Sequence, residues 1–502
     1  MGVRQQIVQL FSYIFERQPA LMAAFIALIV YLVGISDVSA IDSWGYAADI
    51  ANGEYLFRPH HLLYTISGYY WVRLLMGVFT KIELIFLLKL MNAIAASAAI
   101  YMLMKILLLL GVDTIKALLL SLFVSFSWGV IRFAIDNEAY IIPIALSVSA
   151  SYFYIKAQKR DINRYYIISG LLAALACLYH QVMFFWWLAL AAPIIRRLPE
   201  RKALLFLLPS AIVPITYIAV MIYEGLEISL TSLLAYIFYD YEKGNASVNF
   251  NVNLFLLGGI NLFRSFLQVH GYIVFLLKQS WIWLAPLVIS VFSFSISSYL
   301  IGRSKIGFQN FSTYQRIHLA ALFMQIIFAF LSEGNAEFMA MVPFLVAIVV
   351  SNLRLSKTAL GFMVGGLIFW NISFGILPVK IYPDSTNMLV NRISQTANDK
   401  SAYILTEAPK VLNRLDYLSI SKPMIMKKEK LQNESIIQII DSLTVMGFTI
   451  YTDCINRPNP ISRASLLTSG SIDTNLLTGY QLIPIDSIVA LGGKYYLYQV
   501  TP

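Results

Sequence analysis

Apolar residues along the chain gather into long unbroken runs, not the apolar/polar alternation of half-buried strands. The runs lie near 19–36, 62–79, 84–109, 115–132, 138–156, 165–180, 182–195, 203–223, 281–302, 314–331, 336–353 and 358–378. About 20 apolar residues span the hydrocarbon of a bilayer, so the pattern predicts a bundle of membrane-crossing helices. Past Lys380 the pattern changes, and residues 381–502 carry Asp, Lys, Asn and Pro at soluble frequencies. There "AYILTE" (402–407), "FTIYTDC" (448–454) and "KYYLYQV" (494–500) predict short strands. "NESIIQIIDSLTVMG" (433–447) predicts an amphipathic helix, capped by Asn433 or Ser435 and closed by Gly447. The expected class is a mainly α membrane protein, residues 1–380, followed by a small soluble α/β domain, residues 381–502.

Basic loops favour the cytoplasmic side of a membrane. Arg4 and Arg17 precede the first run, and "KAQKRDINR" (156–164) and "RRLPERK" (196–202) are the strongest basic loops. If every run crossed, 156–164 would lie outside. One earlier run must therefore not span, and "LLYTISGYYWVRLLMGVF" (62–79), with Arg73 and four aromatics, suits an interfacial helix. About eleven crossings then remain, with 253–278 as a second outer interfacial segment. The parity places 37–61, "RFAIDNEAY" (132–140), "YHQ" (179–181), 223–250, "SEGNAEF" (332–338) and the C-terminal domain outside. The first apolar run lacks a convincing small-residue cleavage site and reads as a retained helix.

Composition sharpens this picture. Of 502 residues, 59% are hydrophobic and 13% charged, against about a quarter charged in soluble domains. The net charge of +10 reads as topology, not as affinity for nucleic acid. Cys177 lies in an apolar run and Cys454 far off in a polar region, which argues against a disulfide framework. No Walker A motif is present, so ATP-driven work is not expected. The five histidines (60, 61, 180, 270, 318) contain no helical His-x-x-x-His pair. No cofactor is implied, although a divalent cation held by Asp42, His60 and a later acid through tertiary assembly is compatible with the residues.

Most acids of the membrane part fall in the outer loops. Ionisable groups at membrane depth are costly and usually line a water-filled functional space. The densest cluster is "IDSWGYAADIANGEYLFRPHHLLYT" (41–65), directly after the first run. This stretch resembles the first outer loop of GT-C glycosyltransferases, especially the protein O-mannosyltransferase and aminoarabinose transferase branch. There an acid pair, a Tyr-Ala and a Lys/His-Pro-Pro segment follow the first helix, and an outer juxtamembrane helix comes next. "SEGNAEFMAMVPFL" (332–345) resembles an outer turn of related bacterial families. The resemblance covers the order of elements to about residue 380.

The resemblance implies transfer of a monosaccharide from a polyprenyl-phosphate donor to a lipid, polysaccharide or protein acceptor on the extracytoplasmic face; the compact loops and the tail arrangement suit a bacterial inner membrane. Asp42 matches the catalytic loop-one aspartate, and Ser43 departs from the acid often found beside it. Such transfer needs a base for the acceptor hydroxyl, cations for the departing phosphate, and exclusion of water. Asp42 can act as that base, with a pKa raised by desolvation, or simply cap a helix. Arg58 suits phosphate through its guanidinium fork, or else touches lipid headgroups. His60 and His61 either pack and hydrogen-bond or serve the site, and since they point different ways on a helix at most one should face it; His180 is a further phosphate or sugar ligand, or a satisfied structural histidine. Tyr46, Asp136, Glu138, Glu333, Asn335 and Glu337 are candidates for the cavity or sugar site. The last three alternatively cap the helix after them.

The competing reading is a membrane transporter or lipid flippase without transferase activity. Such proteins place sites near the midplane, often in repeated halves, whereas here the acids gather at helix ends on one side. A binding or assembly protein built on residues 381–502 would leave those acids without a role.

Overall fold

The computed structural model describes residues 18–79, 81–197, 200–243, 252–269, 272–303, 311–396, 398–427, 433–455, 458, 477 and 479–502. The chain forms two compact units. The first comprises the chain up to Ile35, Tyr55–Gln268 and Pro286–Ile372; the second comprises Ser36–Glu54, Val269–Ala285 and Ser373–Pro502.

Among the described residues, five helices are long and apolar enough to cross a membrane: Leu84–Leu109, Arg201–Tyr223, Trp281–Arg303, Thr313–Leu331 and Lys357–Gln395. A sixth arises if Thr114–Ser125 and Trp128–Ala134, bent by 63°, form one broken span. Helix 281–303 buries 17% of its apolar stretch inside the protein and helix 201–223 buries 22%. Exposed apolar faces of that extent are penalised by water and tolerated by lipid tails. The chain is an integral membrane protein.

Helix 84–109 shows how the first unit is built. Ala93, Ala96 and Ala99 recur at three-residue spacing and are fully buried, and small side chains let helix backbones approach closely in membranes. The helix ends in a Schellman arrangement: Gly111 takes φ 82°, its N–H donates to Leu108 O at 3.0 Å, and Val112 N–H donates to Leu107 O at 3.1 Å. Residues 62–79 fold as a 13-residue helix, Tyr64–Met76, about 20 Å long and short of the roughly 30 Å hydrocarbon.

The break between helices 114–125 and 128–134 leaves backbone groups without helical partners, and the fold supplies replacements. Asn371 Nδ2 donates to Phe126 O at 2.6 Å and to Phe266 O at 2.7 Å, while Gln268 N–H donates to Asn371 Oδ1 at 2.9 Å. The N–H groups of Trp128 and Gly129 donate to Phe266 O and Ser265 O at 3.0 and 2.9 Å.

In the second unit a five-stranded sheet has the order β2-β1-β3-β5-β4, with β1 Ser401–Leu405, β2 Met424–Lys427, β3 Thr449–Thr452, β4 Gln481–Ala490 and β5 Gly493–Thr501. β1 runs parallel to β2 and β3, while β5 is antiparallel to β3 and β4. Side chains alternate between sheet faces. Tyr403 and Leu405 pack with Val411 and Leu415 of helix Ala408–Tyr417; Ala402 and Ile404 pack with Ile436, Ile440 and Leu443 of helix Asn433–Val445. Both faces of β1 are therefore covered. Gly447, at φ 76°, closes helix 433–445, and the side chains of Asn433 and Ser435 lie outside the described residues.

Helix Ile41–Asn52 also belongs to this unit. It packs on helix 408–417: Trp44 meets the Tyr417 ring at 5.4 Å, the Arg414 guanidinium lies 4.6 Å over the Trp44 ring, and Asn413 Nδ2 donates to Ile41 O at 3.0 Å. Arg414 Nη1 also donates to Thr386 Oγ1 and Asn387 Oδ1. Beneath it Lys410 Nζ and Asp384 Oδ2 form a buried ion pair at 2.6 Å.

Candidate active site

Within the first unit, one end of the helices gathers most of the residues that the sequence singles out. Pro59 starts a 3-10 turn, Pro59–His61, and its fixed φ suits a first helical position. The turn is held from outside. Tyr217 Oη donates to Pro59 O at 2.7 Å, and Gln181 Nε2 donates to Pro59 O, Tyr217 Oη and Ile237 O at 3.2, 2.9 and 2.8 Å. Leu63 N–H donates to Leu178 O at 3.2 Å. The segment after Arg58 is thus pinned to the His180 turn.

Both histidines of the turn join one cluster. Their rings lie 4.1 Å apart, and His61 lies 4.4 Å from His180. His60 Nδ1 approaches Asp240 Oδ2 at 2.6 Å. Tyr140 packs 4.6 Å from His180 and donates its hydroxyl to Glu337 Oε2 at 2.9 Å. Arg132 Nη2 lies 3.6 Å from Glu337 Oε1. A continuous chain of side chains therefore runs Asp240, His60, His61, His180, Tyr140, Glu337, Arg132. The sequence expectation is that at most one of His60 and His61 faces the site; the structure brings both rings into this one cluster.

Burial fixes the protonation of this cluster. His61 and His180 are each 4% exposed. Burial pulls the His61 pKa well below the ordinary value, and the charges of His60, His180 and Arg58 lower it further. His180 is pulled down to about 3, by burial first and then by His60. Val182 N–H donates to His180 Nδ1 at 3.2 Å, so the neutral ring carries its proton on Nε2. That buried N–H has no hydrogen-bond partner among the described residues.

Asp136 and Glu138 are buried beside this chain, at 9% and 2% exposure. Asp136 Oδ1 lies 3.6 Å from Lys89 Nζ of helix 84–109. Asn92, one turn further on, donates to Asp136 O at 2.8 Å and to Glu138 O at 2.7 Å, and Tyr64 Oη donates to Asn137 Oδ1 at 2.6 Å. Residues 136–138 are thereby a rigid wall.

The 332–337 turn is equally constrained. Glu333 takes φ 57° and Gly334 φ 63°, a left-handed pair that is costly for glutamate and concentrates at functional sites. A Cβ on Gly334 would lie 2.7 Å from Gly258 N and 2.8 Å from Leu254 O, so only glycine fits. Asn261 Nδ2 donates to Gly334 O at 2.6 Å. Glu337 N–H donates to Asn335 Oδ1 at 3.0 Å, so Asn335 caps the turn that carries Glu337.

Asp42 and Tyr46 lie in the second unit. Asp42 sits in the first turn of helix 41–52, where the helix dipole favours a carboxylate. Its side chain is exposed, whereas Ser43 and Tyr46 are buried. Among the described residues, no group of three or more His, Cys, Asp or Glu is arranged to hold a metal ion.

No known protein family matches the sequence, and no curated protein does. In structure the chain is similar to ArnT from Cupriavidus metallidurans and to a yeast protein O-mannosyltransferase. The ArnT structures, apo and bound to undecaprenyl phosphate, share 12% identity over 95% of this chain and 97% of that one, with TM-scores of 0.44 and 0.43. The S. cerevisiae Pmt1-Pmt2 complex bound to the sugar donor shares 16% identity over 43% of this chain, at a TM-score of 0.34. The match spans about a third of that yeast chain, 34% of its length.

Several residues of the cluster escaped the sequence reading. Asp240 lies among tyrosines in the outer stretch 223–250, and Tyr140 and Arg132 flank the acids Asp136 and Glu138. Lys89 and Asn92 look like incidental polar positions in an apolar run. Their common signal is a polar residue inside or at the edge of a membrane helix, where it must find a partner.

Proposed function

We propose that the protein is an inverting glycosyltransferase that moves a monosaccharide from a polyprenyl-phosphate donor to a lipid, polysaccharide or protein acceptor on the extracytoplasmic face. The observation that carries this reading is the buried His61–His180–Tyr140 cluster next to Arg58, with a donor on His180 Nε2 that has no hydrogen-bond partner among the described residues. Two neutral imidazoles and a guanidinium suit a phosphate oxygen better than a cargo in transit. In the reaction Asp42 takes the proton of the acceptor hydroxyl. The acceptor oxygen bonds to the anomeric carbon on the face opposite the phosphate, and the bond from that carbon to the phosphate oxygen breaks. The electron pair leaves with the polyprenyl phosphate, whose added charge Arg58, His60, His61 and His180 receive.

Asp136, Glu138, Glu333, Asn335, Glu337 and Tyr46 shape the sugar and acceptor walls. The lipid-linked donor itself excludes water from Asp42 and raises its basicity. The reading includes about eleven crossings, a bacterial inner membrane, and residues 381–502 as an extracytoplasmic domain. Its test is Asp42→Asn in cells, with envelope glycans and glycolipids compared by mass spectrometry against wild type and a gene deletion. Loss of a general base costs about 10²- to 10⁴-fold in rate, so the variant should reproduce the deletion profile while the protein accumulates normally. A wild-type glycan profile from Asp42→Asn overturns the assignment.

A further inference from the structure

The first unit has a second polar feature, at the opposite ends of the same helices. An open cavity of about 590 Å³ is lined by Asp113, Lys116, Lys159, Ser351, Leu353 and Arg354 among others. Helix 84–109 meets the histidine end at Lys89 and Asn92 and reaches this cavity just past Leu109, about 30 Å away at 1.5 Å per residue. Helix Ile141–Arg160 likewise begins beside Tyr140 and ends at Lys159. That separation matches the thickness of a bilayer core, so the cavity and the histidine cluster lie toward opposite membrane faces.

Its walls carry Lys116, Lys159 and Arg354 against a single acid, Asp113. The acid is already answered: Asp113 Oδ1 lies 2.7 Å from Lys357 Nζ and accepts from Ile115 and Lys116 N–H. The cations are only partly used. Lys116 Nζ donates to Ser351 O and Leu353 O, both at 2.7 Å, which leaves one of its three N–H groups. Lys159 Nζ donates to Leu109 O and keeps two. Arg354 is exposed, and no ion pair joins it to a described acid.

Here two ammonium groups are tethered by backbone carbonyls on the wall of a cavity, and such preorganisation lowers the cost of binding. Basic pockets between membrane helices take phosphate headgroups.

We propose that this cavity binds a phosphate mono- or diester at the membrane face opposite the histidine cluster, with Lys116, Lys159 and Arg354 as its ligands. The inference stands independently of the transferase reading. The test uses the full-length protein in detergent and native mass spectrometry with phosphatidylglycerol, phosphatidylcholine, glycerol 3-phosphate and inorganic phosphate as probes. Arg354→Glu/Lys159→Glu should weaken phosphatidylglycerol or glycerol 3-phosphate binding at least tenfold. A control of equal charge change on exposed arginines, Arg160→Glu/Arg303→Glu, should leave it within about twofold.

Lipid retained against excess glycerol 3-phosphate identifies a membrane headgroup. Displacement by glycerol 3-phosphate or inorganic phosphate identifies a soluble phosphate. Equal weakening by the control pair, or unchanged binding of all four probes in the first pair, overturns the proposal. Lys116→Met, which keeps the stem and removes the charge, provides a second variant should the double glutamate fail to fold; unchanged binding there overturns it as well.

Discussion

Acidification should destabilise the protein through His180, and the size of the effect follows from its site. The ring titrates near 6.5 in an unfolded chain and is pulled down to about 3 in the fold. Between those values the unfolded chain binds a proton that the folded one does not, so stability falls as pH falls through the window. At pH 5 the gap from 6.5 is about 1.5 pH units, which corresponds to about 2 kcal/mol for this one group. Protonation at Nδ1 would also remove the acceptor that holds Val182 N–H. The perturbation that isolates His180 is substitution by Asn, whose Oδ1 can still take that N–H while nothing titrates. Denaturant unfolding in detergent, followed by tryptophan fluorescence at pH 7.5 and 5.0, gives the loss for each protein. Wild type should lose about 2 kcal/mol more than His180→Asn over this interval, whatever their difference at pH 7.5. His61 shifts in the same direction and cancels in the comparison. Equal losses in the two proteins would refute a buried neutral His180.

The remaining predictions concern stability and positioning. Gly334→Ala forces a Cβ against Gly258 N and Leu254 O at positive φ and should cost about 2 kcal/mol or more; a thermal midpoint equal to wild type would show that the turn relaxes freely. Lys410→Met leaves Asp384 buried and unpaired, a loss of roughly 3–5 kcal/mol. Adding Asp384→Asn, which removes the charge and keeps an acceptor for Thr386 N–H and Oγ1, should recover most of it, and failure to recover would mean that the pair is not the source. Arg414→Ala removes the cover over Trp44 and two hydrogen bonds. It should speed limited proteolysis within residues 36–54 several-fold, and an unchanged cleavage rate would remove its role in holding helix 41–52.

The apolar runs announced the helical membrane part because a 20-residue apolar stretch has few other uses. The tail was legible where strands are buried on both faces, as in "AYILTE", since covered strands read as apolar runs. β2 and β4 were missed. β2 is four residues long with two methionines, and β4 is an edge strand interrupted by Pro484, as edges commonly are. In the candidate site, His60, His61, His180 and Glu337 were named from their loops. Their partners Asp240, Tyr140 and Arg132 depend on tertiary contacts across as many as 205 positions, from Arg132 to Glu337, which no local pattern encodes.

The packing of helix 41–52 on helix 408–417 has a practical consequence for chimeras. Residues 36–54 and 373–502 share one core although some 320 positions separate them in sequence. A hybrid that exchanges only the tail would pair a foreign surface with the native Trp44, and a hybrid that exchanges only the first loop would do the reverse. Functional hybrids should survive only when the two pieces travel together, so the inheritable module here is discontinuous.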